Sequence, residues 1–228
     1  NFYGEKLHNT VYVTTNPFAE KIPDGTFHSI NFLLDEWDRS LGTVPPQRVV
    51  NTGIEAHNQF PNKRIIVHFI QPHAPFLGPT AEKIKSEFNI KGYDIHLERD
   101  NEDQRTGVSW QSLVRDGKIT KDEFCKAYQE TLEITLKQVS DLVDGLDGKS
   151  VLTADHGEML FERVTPLTRR EAHHPYNTHT EQLCIVPWHE PPYDNRRVIK
   201  SEAPLDRDEV HDAVVNDRLE ALGYKDDV

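Results

Sequence analysis

Short, nearly continuous apolar runs alternate along the chain with segments of helical spacing. The run KRIIVHFI at 63–70 is apolar at almost every position, which is typical of a central strand buried in a parallel sheet. SINFLLDEW at 29–37 fits either a strand or a short helix, because periodicity does not separate the two for so short a run. The further runs that predict strands lie at 11–14, 149–155 and 183–189.

The segment 120–145 carries the strongest helical pattern, and Thr120 and Glu123 fit a capping box at its start. Helices are also predicted at 45–61, 109–117 and 206–224, the last with Gly223 near its C-terminal cap, whereas the polar stretch 78–108 predicts an irregular surface excursion. The apolar stripe expected on the long helix consists of Phe124, Tyr128, Leu132, Leu136, Val139 and Val143.

The succession of strand, long helix and strand predicts an α/β fold with a mainly parallel sheet covered by helices. The strands 63–70, 149–155 and 183–189 should be parallel neighbours or near neighbours in one sheet, with the helix 121–145 packed on one face. No change of composition marks a boundary, so residues 1–228 are expected to form one domain. In such sheets the chemistry lies at the carboxyl ends of the strands.

Three segments rich in histidine and aspartate fall at or just before these strand ends. His73 follows the strand 63–70, Asp155 and His156 end the strand 149–155, and His173 and His174 precede the strand 183–189. Carboxylate and imidazole groups together are the ligands that zinc and similar divalent ions prefer. Convergence of the three segments would create a metal site, and Gly157 would permit the sharp turn after the Asp-His pair.

Each segment also has a simpler interpretation. An Asp-His pair after a strand can be a turn followed by a helix N-cap, and His73 between two prolines can be a rigid loop residue. The histidines around 173–179 can be solvated, and His68 inside an apolar strand favours a core histidine with its hydrogen bonds satisfied. Glu158 fits either a residue that holds a ligand in place or an acid at a helix N-terminus.

The acidic net charge of the chain argues against partners that require a basic protein surface. The chain carries a formal net charge of −12, and nucleic acids and anionic membranes both require a basic surface. No apolar run reaches the roughly 18 residues of a membrane span, so we predict no nucleic-acid or membrane partner and a cytoplasmic protein. Cys125 and Cys184 lack the spacing of metal ligands and are expected to be reduced thiols.

The motif TADHGE at 153–158 resembles a metal-binding turn of the alkaline phosphatase/arylsulfatase superfamily. HFIQPHAPF at 68–76 is similar to the DPHxPY segment of its sulfatase-like members, and HHPYNTHTEQLCIVPW at 173–188 is similar to a later segment of the same proteins. Segment order agrees as well, and over nearly the whole chain the resemblance is closest to archaeal sulfatase-like hydrolases. It implies a three-layer αβα fold with a mainly parallel central sheet.

The resemblance also implies roles for individual residues. Asp155 and His156, with His174, would bind a divalent metal ion (zinc, manganese or calcium), and His73 would contact the transferred group. His73 and His174 would be the catalytic residues, and His173 is the near alternative to His174. Asn16 would make a polar contact to the anionic group of a small ester substrate. Gln71 stands where many relatives have aspartate.

One feature of the superfamily has no match in this sequence. Relatives carry an early strand with a metal-binding aspartate and a nucleophile, which can be serine, threonine or a residue converted to formylglycine, but neither Cys125 nor Cys184 fits that pattern. Met159 is the single methionine, and the sequence reads as a fragment or a processed chain that lacks the nucleophile segment.

The expected function is therefore metal-dependent hydrolysis or transfer of a sulfate or phosphate ester, with an incomplete site and weak catalysis by this chain alone. The alternative is a non-catalytic binding or structural module that keeps the fold. A zinc protease is excluded, because HEPPY at 189–193 lacks the second histidine of the H-E-x-x-H motif.

Overall fold

A computed structural model describes residues 2, 4–88, 110–165, 167–168, 170–174, 177–206 and 212–221. The strands are β1 (Leu7–Thr14), β2 (Phe27–Phe32), β3 (Arg64–His68), β4 (Leu152–Thr153), β5 (Met159–Arg163), β6 (Arg170–His173) and β7 (Trp188–His189). The α-helices are α1 (Pro46–Gln59), α2 (Pro79–Glu87), α3 (Trp110–Arg115), α4 (Lys121–Asp144), α5 (Glu181–Cys184) and α6 (Asp212–Ala221), and 3-10 helices span Pro17–Lys21 and Leu34–Glu36.

The parallel sheet has the strand order β2-β1-β3. Val11 and Val13 of β1 are fully buried, whereas Ile66 of β3 remains 38% exposed. The prediction that 63–70 is the central strand is therefore wrong, since β1 occupies that position and β3 flanks it. The segment 29–37, which fitted either a strand or a short helix, contains both. Its first residues belong to β2, and a 3-10 helix follows.

Helix α1 lies between the sheet and the long helix α4. A Cβ atom at Gly53 would approach Val67 of β3 to 3.0 Å and Leu142 of α4 to 3.1 Å, so a larger residue would require these side chains to shift. The long helix was predicted to pack on the sheet itself. At Gly53 it packs instead on α1, which covers the sheet.

The capping box of α4 is present as predicted. The Thr120 side chain accepts a hydrogen bond from the Glu123 backbone N–H, and the Glu123 carboxylate accepts one from the Thr120 N–H. The predicted apolar stripe is confirmed at Phe124 and Tyr128, which pack in or against the core, and is wrong at Leu136, which is 49% exposed. The helix buries two threonines whose hydroxyls donate hydrogen bonds to backbone carbonyls within the helix, and its fully enclosed residues are Phe124, Ala127, Thr131, Thr135 and Leu142.

The predicted strands 149–155 and 183–189 do not join β3 as parallel neighbours. β4 pairs with β7 in a separate antiparallel ladder, with Leu152 opposite His189. The first two residues of the second segment are helical, because α5 ends at Cys184. The physical reason is that strand pairing joins residues far apart in sequence. The local apolar pattern can predict a strand, but it does not determine which other strand will pair with it.

The remaining predicted elements are largely confirmed. The helices at 45–61 and 109–117 are present as α1 and α3, and Gly117 follows α3 with a φ of 69°. The stretch 78–108 is corrected, because α2 occupies its first part, while residues 89–108 lie outside the described part of the chain. Gly223 lies outside it too, and α6 begins at Asp212.

The core consists of clusters that correspond to the two halves of the fold. One joins β1, β3 and α1 around Val11, Val13 and Val49. Another joins α2, α3 and α4 to strands β5 and β6, with Phe124 of α4 against Phe161 of β5 at a ring-centroid distance of 5.2 Å. The second cluster anchors the hairpin that carries the candidate site.

The structure thus has an α/β architecture with a small parallel sheet. The three-layer αβα arrangement of the alkaline phosphatase type stays a prediction. Among the helices of the described ranges, none combines the length and the apolar composition needed to cross a membrane.

Candidate metal centre

The antiparallel hairpin of β5 and β6 brings Glu158 and His174 together. Met159 is paired with the backbone of His173, so the residues just before β5 and just after β6 meet at the open end of the hairpin. There His174 Nδ1 lies 2.9 Å from Glu158 Oε2. A carboxylate oxygen can only accept, so the imidazole donates this hydrogen bond.

His156 completes a group of three side chains at the same place. Its ring centroid lies 4.3 Å from that of His174, and its Nδ1 donates to the Gly157 carbonyl at 2.7 Å. That bond leaves Nε2 as the nitrogen with a lone pair. One ligand atom from each of His156, Glu158 and His174 can be chosen so that all three lie within 4.8 Å of one another.

Gly157 is required here for a reason other than the predicted sharp turn. A Cβ atom at this position would collide with the backbone carbonyl oxygen of Gln182. The Gly157 N–H also donates to the Leu183 carbonyl at 2.9 Å. The residue between the candidate ligands His156 and Glu158 is thus held against helix α5, which fixes the path of the chain through the site.

His73 lies on the inner side of the group. Its ring centroid is 5.9 Å from that of His174, and its Nδ1 lies 2.5 Å from the Ala74 carbonyl, to which it donates. A cavity of about 30 Å³ adjoins the site, with room for a water molecule or two and none for an ester. Its lining consists of Pro72, His73, Ala74, Phe76, Gln111, Phe124, Tyr128, Glu158 and His174.

The pKa values of the ionisable groups at the site are shifted in different directions. The hydrogen bond from Glu158 raises the pKa of His174, which favours the imidazolium in the metal-free chain. Burial lowers the pKa of His73, so this imidazole is neutral near pH 7. Burial, together with the nearby Glu158 carboxylate, raises the pKa of Tyr128 to about 12. The Glu158 carboxylate thus contributes to the pKa shifts of all three groups.

The structure places Asp155 outside this group. Its side chain is 68% exposed, its Oδ1 accepts a hydrogen bond from the His156 backbone N–H, and that oxygen is 3.8 Å from His156 Nε2. Its charge nevertheless contributes to raising the pKa of His174. Asp155 thus lies beside the three clustered ligands, toward solvent.

The other predicted contacts are distributed around the site. Asn16 caps a 3-10 helix, because its Oδ1 accepts from the Phe18 N–H at 2.9 Å, and its contact to a substrate stays a prediction. The side chain of His173 lies outside the described part of the chain. Gln71 is buried and donates to the Thr43 hydroxyl and the Val44 carbonyl, which is a structural role.

Glu158 is the ligand candidate that the sequence prediction did not include among the metal ligands. Its interpretation as an acid at a helix N-terminus is wrong, because a strand and not a helix follows it. The same fact excludes the helix N-cap interpretation of Asp155. A signal was present in the sequence: His156 and Glu158 are two positions apart, and in extended chain such residues project to the same side.

The donor set fits a divalent metal ion. Two imidazoles and one carboxylate are a frequent ligand combination for catalytic zinc, and for non-haem iron. An ion bound by both Glu158 and His174 Nδ1 would replace the proton of their hydrogen bond, so binding in this mode would release a proton. Comparison with protein-family models, with curated proteins and with solved structures gave no match to this chain.

Proposed function

We propose that the chain binds one divalent metal ion through His156, Glu158 and His174. The observation that carries this proposal is the convergence of the three ligand atoms within 4.8 Å at the open end of one hairpin. Two of the three ligands come from opposite strand ends, and the third is adjacent to Gly157, whose position is fixed by α5. Three ligands held by a packed scaffold need little rearrangement to bind an ion.

The ligand types favour zinc, manganese or iron over calcium. Calcium prefers six to eight oxygen ligands, and this group supplies two nitrogen atoms and one carboxylate. Three protein ligands leave an open position, as in catalytic zinc sites, whereas structural zinc sites generally have four. His156 is 42% exposed, so the open position faces solvent.

We further propose that the ion serves hydrolysis or transfer of a sulfate or phosphate ester. The supporting observations are the motifs at 68–76, 153–158 and 173–188 and the proximity of their histidines to one another. A metal ion at such a site supplies Lewis-acid polarisation of a non-bridging oxygen. Of the protein groups, His73 is kept neutral by burial and donates through Nδ1 to Ala74, and a neutral imidazole is a candidate general base.

Cys125 does not provide an activated nucleophile in the described structure. Burial raises the pKa of the Cys125 thiol, which keeps it protonated, and Cys184 is exposed at the end of α5. A thiol needs a lowered pKa to act as a nucleophile at neutral pH. We therefore expect slow ester turnover from this chain, and metal binding is the primary test.

The test is calorimetric titration of the chain with zinc, manganese and calcium. Variants His156→Ala, Glu158→Gln and His174→Ala should each weaken zinc binding by about tenfold or more, because each removes one of three ligands. The exposed His179, five positions beyond His174, offers the matched control His179→Ala, which should bind zinc as the unmodified chain does.

Asp155→Ala tests whether Asp155 is a metal ligand, as the resemblance implies, or only a charge near the proposed ligands. Binding should weaken only modestly if Asp155 acts through its charge, and as strongly as in His156→Ala if it is a ligand. Equal zinc binding by Glu158→Gln and by the unmodified chain would contradict the proposed centre. Release of p-nitrophenol from the phosphate and sulfate esters, with Glu158→Gln as the inactive control, tests the chemical part of the proposal.

A further inference from the structure

Residues 194–205 form a connecting segment, the strap, that contains no helix or strand. At its far end the Lys63 ammonium donates a hydrogen bond to the Glu202 carboxylate at 2.7 Å. At its near end Arg197 Nη2 donates to the backbone carbonyl of His57, in the last turn of α1, at 3.1 Å. A polar attachment therefore holds each end of the strap, and the two attachments differ in their ionisable groups.

The near attachment continues through the side chain of His57, which is 8% exposed. Arg197 Nη1 lies 2.6 Å from His57 Nδ1, and Asp147 Oδ1 lies 2.5 Å from His57 Nε2. A guanidinium only donates hydrogen bonds and an ionised carboxylate only accepts them. Nδ1 must therefore accept from Arg197, and Nε2 must carry the proton that is donated to Asp147. Both contacts are satisfied at once only by the neutral imidazole with its proton on Nε2.

The stem of Arg197 is packed against the loop that follows α4. A Cβ atom at Gly148 would approach Arg197 Cγ to 2.9 Å, and the Arg197 side chain is 16% exposed. The guanidinium also lies beside the carboxylate of the same loop, with Arg197 Nε 3.5 Å from Asp147 Oδ1. Displacement of Arg197 from His57 therefore requires the near end of the strap to move with it.

Protonation of His57 would remove the acceptor on which the near attachment depends. An imidazolium donates at both nitrogen atoms, so Nδ1 and Arg197 Nη1 would become two cationic donors facing each other. Burial, with the adjacent charge of Arg197, holds the pKa of His57 below its ordinary value, against the opposing effect of Asp147. Among the described residues, Arg197 and Asp147 are the charged groups that act on this imidazole.

We propose that protonation of His57 in mildly acidic solution detaches Arg197 and opens the near end of the strap, whereas the far end stays bound to Lys63. The far attachment does not respond in the same pH range, because the hydrogen bond from Lys63 holds the pKa of Glu202 below its ordinary value and the carboxylate stays ionised. The strap is thus an acid-sensitive device that involves none of the proposed metal ligands.

The size of the effect follows from the pKa of His57 in the two forms. In the open strap the imidazole titrates with its ordinary pKa of 6.5, whereas in the closed strap it takes up a proton only at lower pH. Below pH 6.5 the population of the open form therefore rises by up to about tenfold per pH unit, until the closed form is protonated as well.

Trypsin cleavage after Arg196, an exposed residue of the strap, measures this opening. The cleavage rate at each pH is divided by that of a synthetic peptide of residues 190–203, which removes the pH dependence of the protease. Between pH 7.5 and pH 5.5 the normalised rate should rise by up to about tenfold. Cleavage after Lys137 of α4, which is also exposed, should not change. A rise of less than about twofold at Arg196, or an equal rise at both sites, would overturn the inference.

Two histidine variants identify the group that titrates. His57→Gln has no titrating side chain at this position and should abolish the pH dependence of cleavage at Arg196. His8→Gln is the matched control, because the carbonyl of His8 accepts from Lys63 at the far end of the strap, and it should keep the pH dependence. Loss of the pH dependence in His8→Gln with retention in His57→Gln would contradict the assignment to His57.

Arg197→Met keeps the stem that packs against Gly148 and removes the guanidinium. Cleavage after Arg196 should already be about tenfold faster than in the unmodified chain at pH 7.5, because the near attachment is lost. Equal rates in this variant and the unmodified chain would show that Arg197 does not hold the strap.

The tautomer of His57 gives a test that needs no variant. Long-range ¹H–¹⁵N correlation spectra of the unmodified chain at pH 7.5 should show His57 with its proton on Nε2, as the contacts to Arg197 and Asp147 require. A proton on Nδ1 at this pH would overturn the inference, since Arg197 would then have no acceptor on the ring.

Discussion

Substitution of Gly157 by alanine tests the close approach that holds the candidate site. The added methyl group would collide with the Gln182 carbonyl oxygen, so the segment 155–158 or helix α5 has to move. Overpacking of this kind costs about 1–3 kcal/mol. The same movement weakens the 2.9 Å hydrogen bond from Gly157 N–H to the Leu183 carbonyl, a further loss of about 0.5–1.5 kcal/mol.

Together these terms lower the free energy of unfolding by about 2–4 kcal/mol. For a chain of this size 1 kcal/mol shifts the Tm by about 2–4 °C, so Gly157→Ala should lower the Tm by about 5–15 °C in scanning calorimetry. Zinc binding should weaken as well, because the two residues that flank Gly157 are both proposed ligands.

Gly117→Ala is the matched control. Gly117 has a φ of 69°, and a Cβ atom there would meet nothing within 4 Å, so only the backbone conformation is penalised, by about 1–2 kcal/mol. Zinc binding should stay unchanged in this variant. A Tm for Gly157→Ala within 2 °C of the unmodified chain, or one above that of Gly117→Ala, would show that the contact with Gln182 is not as close as described.

Three further outcomes are expected. Thr120→Ala removes the capping box of α4 and should lower the free energy of unfolding by about 1 kcal/mol, measured by urea denaturation; no change would mean that the cap does not form in solution. The buried Lys63 ammonium donates hydrogen bonds to the His8 and Lys200 carbonyls and to the Glu202 carboxylate, and Lys63→Met removes all three. Hydrogen exchange of the backbone amides should therefore accelerate selectively over 198–205. Uniform acceleration across the chain would show that Lys63 does not hold this segment locally. Burial lowers the pKa of His57 below its usual 6.5, so as the pH falls the imidazole becomes protonated in the unfolded chain before it does in the folded one. Its contribution to stability is then present above about pH 6.5 and is lost as the pH falls toward the folded pKa, by at most about 1.4 kcal/mol per pH unit. His57→Gln should flatten the pH dependence of the unfolding free energy in that range, and an unaltered slope would refute the assignment.

Local signals in the sequence predicted most of the helices and the strands of the parallel sheet. The capping box at Thr120 and Glu123 and the apolar run of β3 are properties of neighbouring residues, so they could be recognised without the fold. The partner of 149–155 could not, because its antiparallel pairing with β7 is decided by contacts distant in sequence. The same limit explains why β3 was assigned to the centre of the sheet.

The candidate site was predictable in part for a similar reason. His156 and His174 stood out because they flank predicted strand ends, and their rings do lie close together. Glu158 was not recognised as a ligand, since its role depends on the register that sets Met159 opposite His173. His68 was interpreted as a core histidine with its hydrogen bonds satisfied, and Tyr12, 56 positions earlier, does lie 2.6 Å from its Nδ1.

The hairpin that joins Glu158 to His174 has a consequence for how the site assembles. The two residues are 16 positions apart, and their contact closes a loop of that length. Closing such a loop in a flexible chain costs conformational entropy, which a covalent bridge of similar span recovers as about 3 kcal/mol. An ion bound by both side chains would act as a reversible cross-link of the same loop. A bound ion would then make the opening of the hairpin less frequent, and proteolysis of this segment would slow when the ion is present.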